Sequence, residues 1–384
     1  MIFAIAAGLS VANIYYAQPL LHSLARDFGM SPSSVGIVVT LTQVGYGLGL
    51  IFVVPLGDLI APRRLILTQG ALSTLALVGV ATATTEAILL VSLAAMGLLA
   101  VVVQVLVALA ASLATPTDRG KAVGTVTSGI VVGILGARFA AGLLADIGGW
   151  RAVYLTSALL TAAMGATLVR VLPRQISLSN HEGYAAVLRS VPLLFLRDRV
   201  LLIRGVLAFL IFAAFSTFWT ALVLPLSAAP FSYSHTQIGL FGLVGVVAAI
   251  AATVAGKLAD RGMGQRVTGI SLSVLLASWV PISFLPTSVP LLVVGVILLD
   301  LAVQAVHVTN QSIILDRHPE ARSRLIGGYM VFYSFGSAIG AVAATMAYAQ
   351  DGWQGVVILG AGFSGLALLI WAGTRPDPKS LLSA

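Results

Sequence analysis

Asp300, Gln304, His307 and Gln311 advance along the chain by four, three and four positions, a spacing that puts them on one face of a helix. Asn310 lies close to that stripe. A carboxylate and an imidazole on one face can take up and pass on a proton, and the amides can orient them or hold a polar solute. The same side chains could instead tie helices together, at roughly 1 kcal/mol per hydrogen bond in lipid. Asp300 and His307 alone are an incomplete metal site, so no metal ion and no cofactor are expected. The other deeply placed charge is Arg138. Its guanidinium keeps its proton and must meet a carboxylate, a group of carbonyls or an anion. Two readings of Arg138 stand: anion binding or control of Asp300, and an ion pair with Asp146 or helix-end carbonyls.

The elements that position these groups are apolar. The chain has 384 residues, 59% hydrophobic and 9% charged, with a mean hydropathy of +1.03. An average globular chain is roughly 25% charged. Its 21 Lys and Arg and 13 Asp and Glu cannot cover a soluble surface of that length. A soluble enzyme, a disordered chain and a nucleic-acid-binding module are excluded, despite a net charge of +8. With no cysteine there is no disulfide, zinc ribbon or thiol nucleophile. No phosphate-cradling loop and no nucleophile–base set occurs, so no enzyme is expected.

Crossing a bilayer takes roughly 20 apolar residues in a helix. Twelve stretches qualify, near 2–25, 34–56, 65–84, 87–113, 122–145, 151–172, 201–226, 236–258, 267–285, 289–314, 324–348 and 354–373. They are too long and continuous for barrel strands. The expected fold is an all-α polytopic membrane protein with twelve transmembrane helices. Eighteen of the 21 cationic residues, Arg204 among them, fall on one side; only Arg26 and Arg151 fall on the other. That bias predicts a cytoplasmic side carrying both termini. Trp150 and Trp353, at the starts of spans 6 and 12, are expected to anchor the outer interface.

The two halves repeat. Val35-Gly36 recurs as Ile238-Gly239, Gly133 as Gly336, and Gly149-Trp150 as Gly352-Trp353, each 203 residues on; Asp58 and Asp260 are 202 apart. Six spans per repeat give both halves the same orientation. The predicted organisation is a six-helix bundle over 1–172, a cytoplasmic linker over 173–200 with a surface helix near 184–196, and a second bundle with a short tail over 201–384.

Pro55-Leu56-Gly57-Asp58-Leu59-Ile60-Ala61-Pro62-Arg63-Arg64 resembles the G-x-L-a-D-r-x-G-R-R loop of the major facilitator superfamily, and Gly256-Lys257-Leu258-Ala259-Asp260-Arg261-Gly262 is a closer copy. The likeness covers essentially the whole chain and extends to bacterial efflux permeases of the arabinose-efflux and twelve-span drug-antiporter type. It implies two six-helix bundles and a conformational latch of Asp58 with Arg64, repeated at Asp260 and Arg261. The plainer reading is solvated loop charges. It also implies that spans 1, 4, 7 and 10 line a central cavity. Asn13, Tyr16, Gln18, Gln104, Trp219, Gln304, Asn310 and Gln311 are then substrate-cavity candidates, and Asp300, His307 and Arg138 proton-coupling candidates. Tyr15, Phe215 and Phe218 lie on the same spans, with simple packing as the alternative for the aromatics. Gly129–Arg138 resembles the antiporter motif of span 5 but lacks its proline, and span 4 lacks the arginine of many proton-coupled relatives.

The resemblance implies a secondary transporter that exports a small organic solute by alternating access, with protons moving in exchange. Uptake without protons and a non-transporting receptor on the same scaffold are the alternatives. The expected setting is the plasma membrane of a bacterium, as a monomer in the lipid bilayer, without nucleic acid.

Overall fold

The computed structural model describes residues 1–115, 118–172, 183–245, 254–317 and 322–374. Every element among them is helical. Seven helices are long and apolar enough to cross a membrane unaided. Two of the seven hold two spans each, which makes nine, and the shorter helices of spans 1, 2 and 8 bring the number to twelve. Arg119–Val171 holds spans 5 and 6, interrupted at Gly149, and Arg322–Gly373 holds spans 11 and 12, interrupted at Asp351 and Gly352. Gly149 and Gly352 both have positive φ, +74° and +59°, a conformation that costs other L-residues. The repeat at offset 203 is therefore a repeat of backbone geometry at the turn between the last two spans of each half.

Span 1 is Ile2–Tyr15, continued by a 3-10 turn, Gln18–Leu20, and the helix Leu21–Phe28. Spans 2 and 3 are Ile37–Phe52 and Pro62–Ala81. Span 4 runs as Glu86–Leu99 and Val102–Leu113. Span 7 is Arg199–Ala221, extended by Val223–Ser227; span 8 begins as His235–Val244. Spans 9 and 10 are Gly264–Ser283 and Val289–Arg317. The helix expected near 184–196 is present as Tyr184–Arg197.

Small residues let these helices approach, since lipid supplies no hydrophobic drive between them. A side chain at Gly133 would strike the Gly8 backbone of span 1, and one at its repeat mate Gly336 would strike the Phe209 backbone of span 7. The same span-to-span contact is thus built twice.

Two expectations are corrected. Trp150 and Trp353 are buried. Trp150 Nε1 donates to Asp27 Oδ2 at 2.8 Å and Trp353 Nε1 to the Ile282 carbonyl at 2.9 Å. They brace their bundles, because the positive-φ glycine before each folds the chain back at once. Arg204 is no loop charge. It lies one turn inside span 7, is buried, and donates from Nη1 to Thr268 Oγ1 and Asn310 Oδ1, both at 3.0 Å.

Hydrogen bonds between the halves cluster from mid-depth toward the end opposite the linker helix. Thr40 Oγ1 donates to the Ala338 carbonyl at 2.8 Å, and Thr345 Oγ1 to the Ser33 carbonyl at 3.1 Å. At the far end Asp146 accepts from the backbone N–H groups of His235 and Thr236, at 3.1 and 2.9 Å, and from the His235 imidazole at 2.8 Å. The other ring nitrogen meets Ser23 Oγ at 2.7 Å. Asp146 of the first half thus caps the N-terminus of span 8 in the second.

Partial burial pushes the Asp146 carboxyl up, but hydrogen bonds from Thr236, His235 and Ser234 outweigh it and hold the group well below the usual carboxylate range. The contact is therefore complete above pH about 4 and fades only as pH falls through that lowered value. Asp146→Asn should shift the population away from far-end closure by about tenfold. Spin labels on Ser31→Cys and Ala228→Cys, in a chain with no other cysteine, would show this as a longer distance. An unchanged distribution would contradict it.

Candidate functional site

The helix of span 1 gives way after Tyr15, and the turn that follows carries Pro19, which has no N–H to donate. This break points Gln18 at span 5, where Gln18 Oε1 accepts from Arg138 Nε at 2.6 Å. Arg138 is 3% exposed. Its guanidinium lies 4.1 Å from the Trp219 ring centroid, 5.0 Å from Tyr15 and 5.7 Å from Phe215, a cation–π arrangement worth about 2 kcal/mol when desolvated. Trp219 Nε1 donates to Asp300 Oδ1 at 3.2 Å. Arg138 comes from one half, Trp219 and Asp300 from the other. Opposite charges of the two halves are thus joined through one indole.

Arg138 Nη2 is buried and has no hydrogen-bond partner among the described residues. Gln18, Pro19, Arg138, Trp219, Leu222, Val223 and Ile238 line a cavity of about 10 Å³, room for about one water. Span 8 closes over the pair through small residues. A Cβ at Gly242 would stand 3.0 Å from Arg138 Cβ, and one at Gly245 would stand 2.8 Å from Asp300 Oδ2.

Two turns toward the linker end, His307 Nδ1 meets the Tyr329 hydroxyl at 3.1 Å and its Nε2 meets Gln311 Nε2 at 3.3 Å. Its ring sits edge-on to Phe212, 5.1 Å between centroids. Tyr333 of span 11 connects this group to the first. It packs on Phe212 at 4.2 Å, shares a hydroxyl contact of 2.5 Å with Tyr15, and stands edge-on to Tyr46 at 6.4 Å. Gln104 Nε2 donates to Tyr46 OH at 3.4 Å. Tyr46, Tyr329 and Tyr333 were missed by sequence reasoning, although Tyr329 and Tyr333 share a helix face by their four-residue spacing.

The other candidates separate by position. Asn13 Oδ1 accepts from Ser157 Oγ at 2.6 Å and Tyr16 stacks edge-on to Tyr154, so both face span 6 within their own half. Asn310 is fully buried between Arg204 and Tyr329 inside the second half. Gln304 is half-buried. Phe218 packs against Trp219, Trp279 and Trp353. Asp146 does not pair with Arg138, because span 8 claims it. The side chains of Asp58 and Asp260 lie outside the description, and Arg64 and Arg261 are exposed. The neighbouring Arg63 donates to the carbonyls of Val169 and Leu172 at the end of span 6, as suits a cation at a helix C-terminus.

Two bundles in the same orientation, with charged groups of both meeting at mid-depth, define a membrane carrier. The family model for the Major Facilitator Superfamily matches residues 3–224 and 204–384. The chain belongs to that superfamily. It is 46% identical to the putative transporter YgaY of Escherichia coli, over 97% of this chain and 94% of that one. A probable transporter of Streptomyces coelicolor is 32% identical, over 98% and 87%. The fold matches a bacterial homologue of the human lysosomal transporter Spinster, in an inward-facing and occupied conformation, with TM-score 0.77, 13% identity and coverage of 98% and 97%. The protein is a transporter, not an enzyme.

Gly245→Ala tests the packing around Asp300. Gly245 caps the helix His235–Val244 with φ −61°, a backbone that alanine adopts freely, so the variant should fold. Its Cβ must displace the Asp300 carboxylate and the Leu135 side chain, and solute transport in proteoliposomes should fall below about a tenth of wild type. A folded variant with wild-type flux would overturn this reading of the contact.

Proposed function

We propose that the protein moves a small organic solute by alternating access and that Asp300 carries the coupled proton. The observation that carries this reading is the buried link Arg138–Trp219–Asp300 across the two halves. Neutralising the carboxylate removes one side of an opposite-charge attraction in a poorly solvated place and so changes which arrangement of the halves is favoured. His307 lies two turns along the same span and, through Tyr333, within reach of the same aromatic cluster.

The units that rock are 1–172 and 201–384, joined by 173–200. The arginine-rich side, with both termini, is cytoplasmic by the positive-inside bias. The far-end contacts of Asp146, Thr40 and Thr345 then make this an inward-facing arrangement in a bacterial inner membrane, with the protein acting as a monomer. Gln18, Trp219, Gln304 and Gln311 are the polar groups offered to a solute, and Asp58 with Arg64, repeated at Asp260 and Arg261, is the latch for the opposite arrangement.

Export in exchange for protons is the direction supported by the resemblance to efflux permeases. A second reading, uptake with a proton, is favoured by the unpaired Arg138 Nη2. Both readings put the proton on Asp300. Solutes found by thermal-shift screening of the purified protein can be tested in proteoliposomes. Asp300→Asn should reduce gradient-driven accumulation below about a tenth while leaving solute exchange within about twofold of wild type. Undiminished accumulation in both Asp300→Asn and His307→Gln would refute the proposal.

A further inference from the structure

We propose that the transported solute is a small organic anion, its carboxylate held by the free edge of Arg138, and that it crosses together with a proton on Asp300. This rests on the reading of Asp300 given above, takes the second of the two directions, uptake with a proton, and adds the chemistry of the solute.

The guanidinium has three ways to engage a partner, and two are already used. Its faces are covered by Trp219 and Tyr15, and its Nε is committed to Gln18. What remains is the outer edge formed by Nη1 and Nη2, of which Nη2 is buried, unpaired among the described residues, and beside the small cavity. An edge-on donor suits a planar carboxylate, which accepts in the plane of the guanidinium. The cavity walls at Leu222, Val223 and Ile238 are apolar and suit the hydrocarbon body of such a solute. The space holds about one water, so the solute binds when the halves have moved apart around Arg138.

Charge bookkeeping then sets the coupling. Arg138 and Asp300 cancel when both are ionised. A second carboxylate would leave one surplus negative charge in a poorly solvated site, which is costly unless Asp300 takes up a proton. The other titratable groups facing the pair are the phenols of Tyr15 on span 1 and Tyr333 on span 11, uncharged at neutral pH. His307 lies two turns away on span 10 itself, and Asp146 is held by His235. Anion and proton therefore bind together, and an inward proton gradient drives uptake. A cationic solute would instead have to approach an arginine that cannot lose its charge.

The test is isothermal titration of the purified full chain with benzoate, phenylacetate and cinnamate, against benzamide and benzylamine. Two buffers of different ionisation enthalpy report protons taken up. The expected result is saturable binding of the carboxylates, with about one proton per anion, and none of the amide or amine. Arg138→Gln should weaken that binding by at least about tenfold. Arg138→Lys, which keeps the charge and loses the fork, should fall between; melting curves confirm that both are folded. Asp300→Asn should bind the carboxylates as tightly or more so, with no proton uptake. The proposal is overturned if no carboxylate binds, if benzylamine binds more tightly, or if both folded Arg138 variants keep wild-type affinity. If the Arg138 variants behave as expected but Asp300→Asn still takes up a proton, the anion stands and the role of Asp300 falls.

Discussion

A guanidinium that cannot lose its proton has to be accommodated at mid-depth in the protein, and much of the site follows from that constraint. Desolvating an unpaired ion costs several kcal/mol, so Arg138 draws in every kind of partner within reach. A glutamine accepts from Nε, aromatic rings cover the faces, and a carboxylate compensates the charge from the other half. Span 1 breaks where Gln18 must turn inward, and span 8 carries glycines where it must pass close to Arg138 and Asp300. Because the compensating carboxylate sits in the other half, the cost of burying Arg138 depends on how the halves are arranged. That dependence is what a carrier needs.

The repeat explains how two halves can move without losing their own structure. Each bundle is braced internally by close contacts of the same kind, Gly133 on span 1 and Gly336 on span 7, and by a buried indole after a positive-φ glycine. Contacts between halves combine close approaches of the same kind, Gly142 against the His235 backbone and Gly36 against the Ala341 carbonyl, with single hydrogen bonds and a helix cap, the latter individually worth about 1 kcal/mol. The hydrogen bonds and the cap can be exchanged for another set when the halves move.

Much of this was legible in the sequence because lipid makes periodicity and charge unusually informative. Twelve apolar runs, the offset of 203 and the helical stripe through Asp300 and His307 need no tertiary knowledge. Arg204 was misplaced because a cation at the start of an apolar run looks like a flanking charge; only Thr268 and Asn310, far away in the chain, turn it inward. Asp146 looked like a partner for Arg138 by helical spacing, but its real partners belong to span 8. Tyr333 gave only its four-residue spacing from Tyr329 as a signal, since a tyrosine in an apolar helix reads as packing until its four neighbours from spans 1, 2, 7 and 10 are seen. Trp150 and Trp353 followed the statistics of interface tryptophans, which say nothing of a turn tight enough to bury them.

In the proposed mechanism the proton on Asp300 changes the balance between arrangements of the two halves. The most direct measurement is the spin-label distance across the far end, followed from about pH 5 to 8 in the wild-type chain and in Asp300→Asn. The wild-type distribution should change with pH, and Asp300→Asn should hold one distribution throughout. A pH response of wild-type size in Asp300→Asn would contradict it.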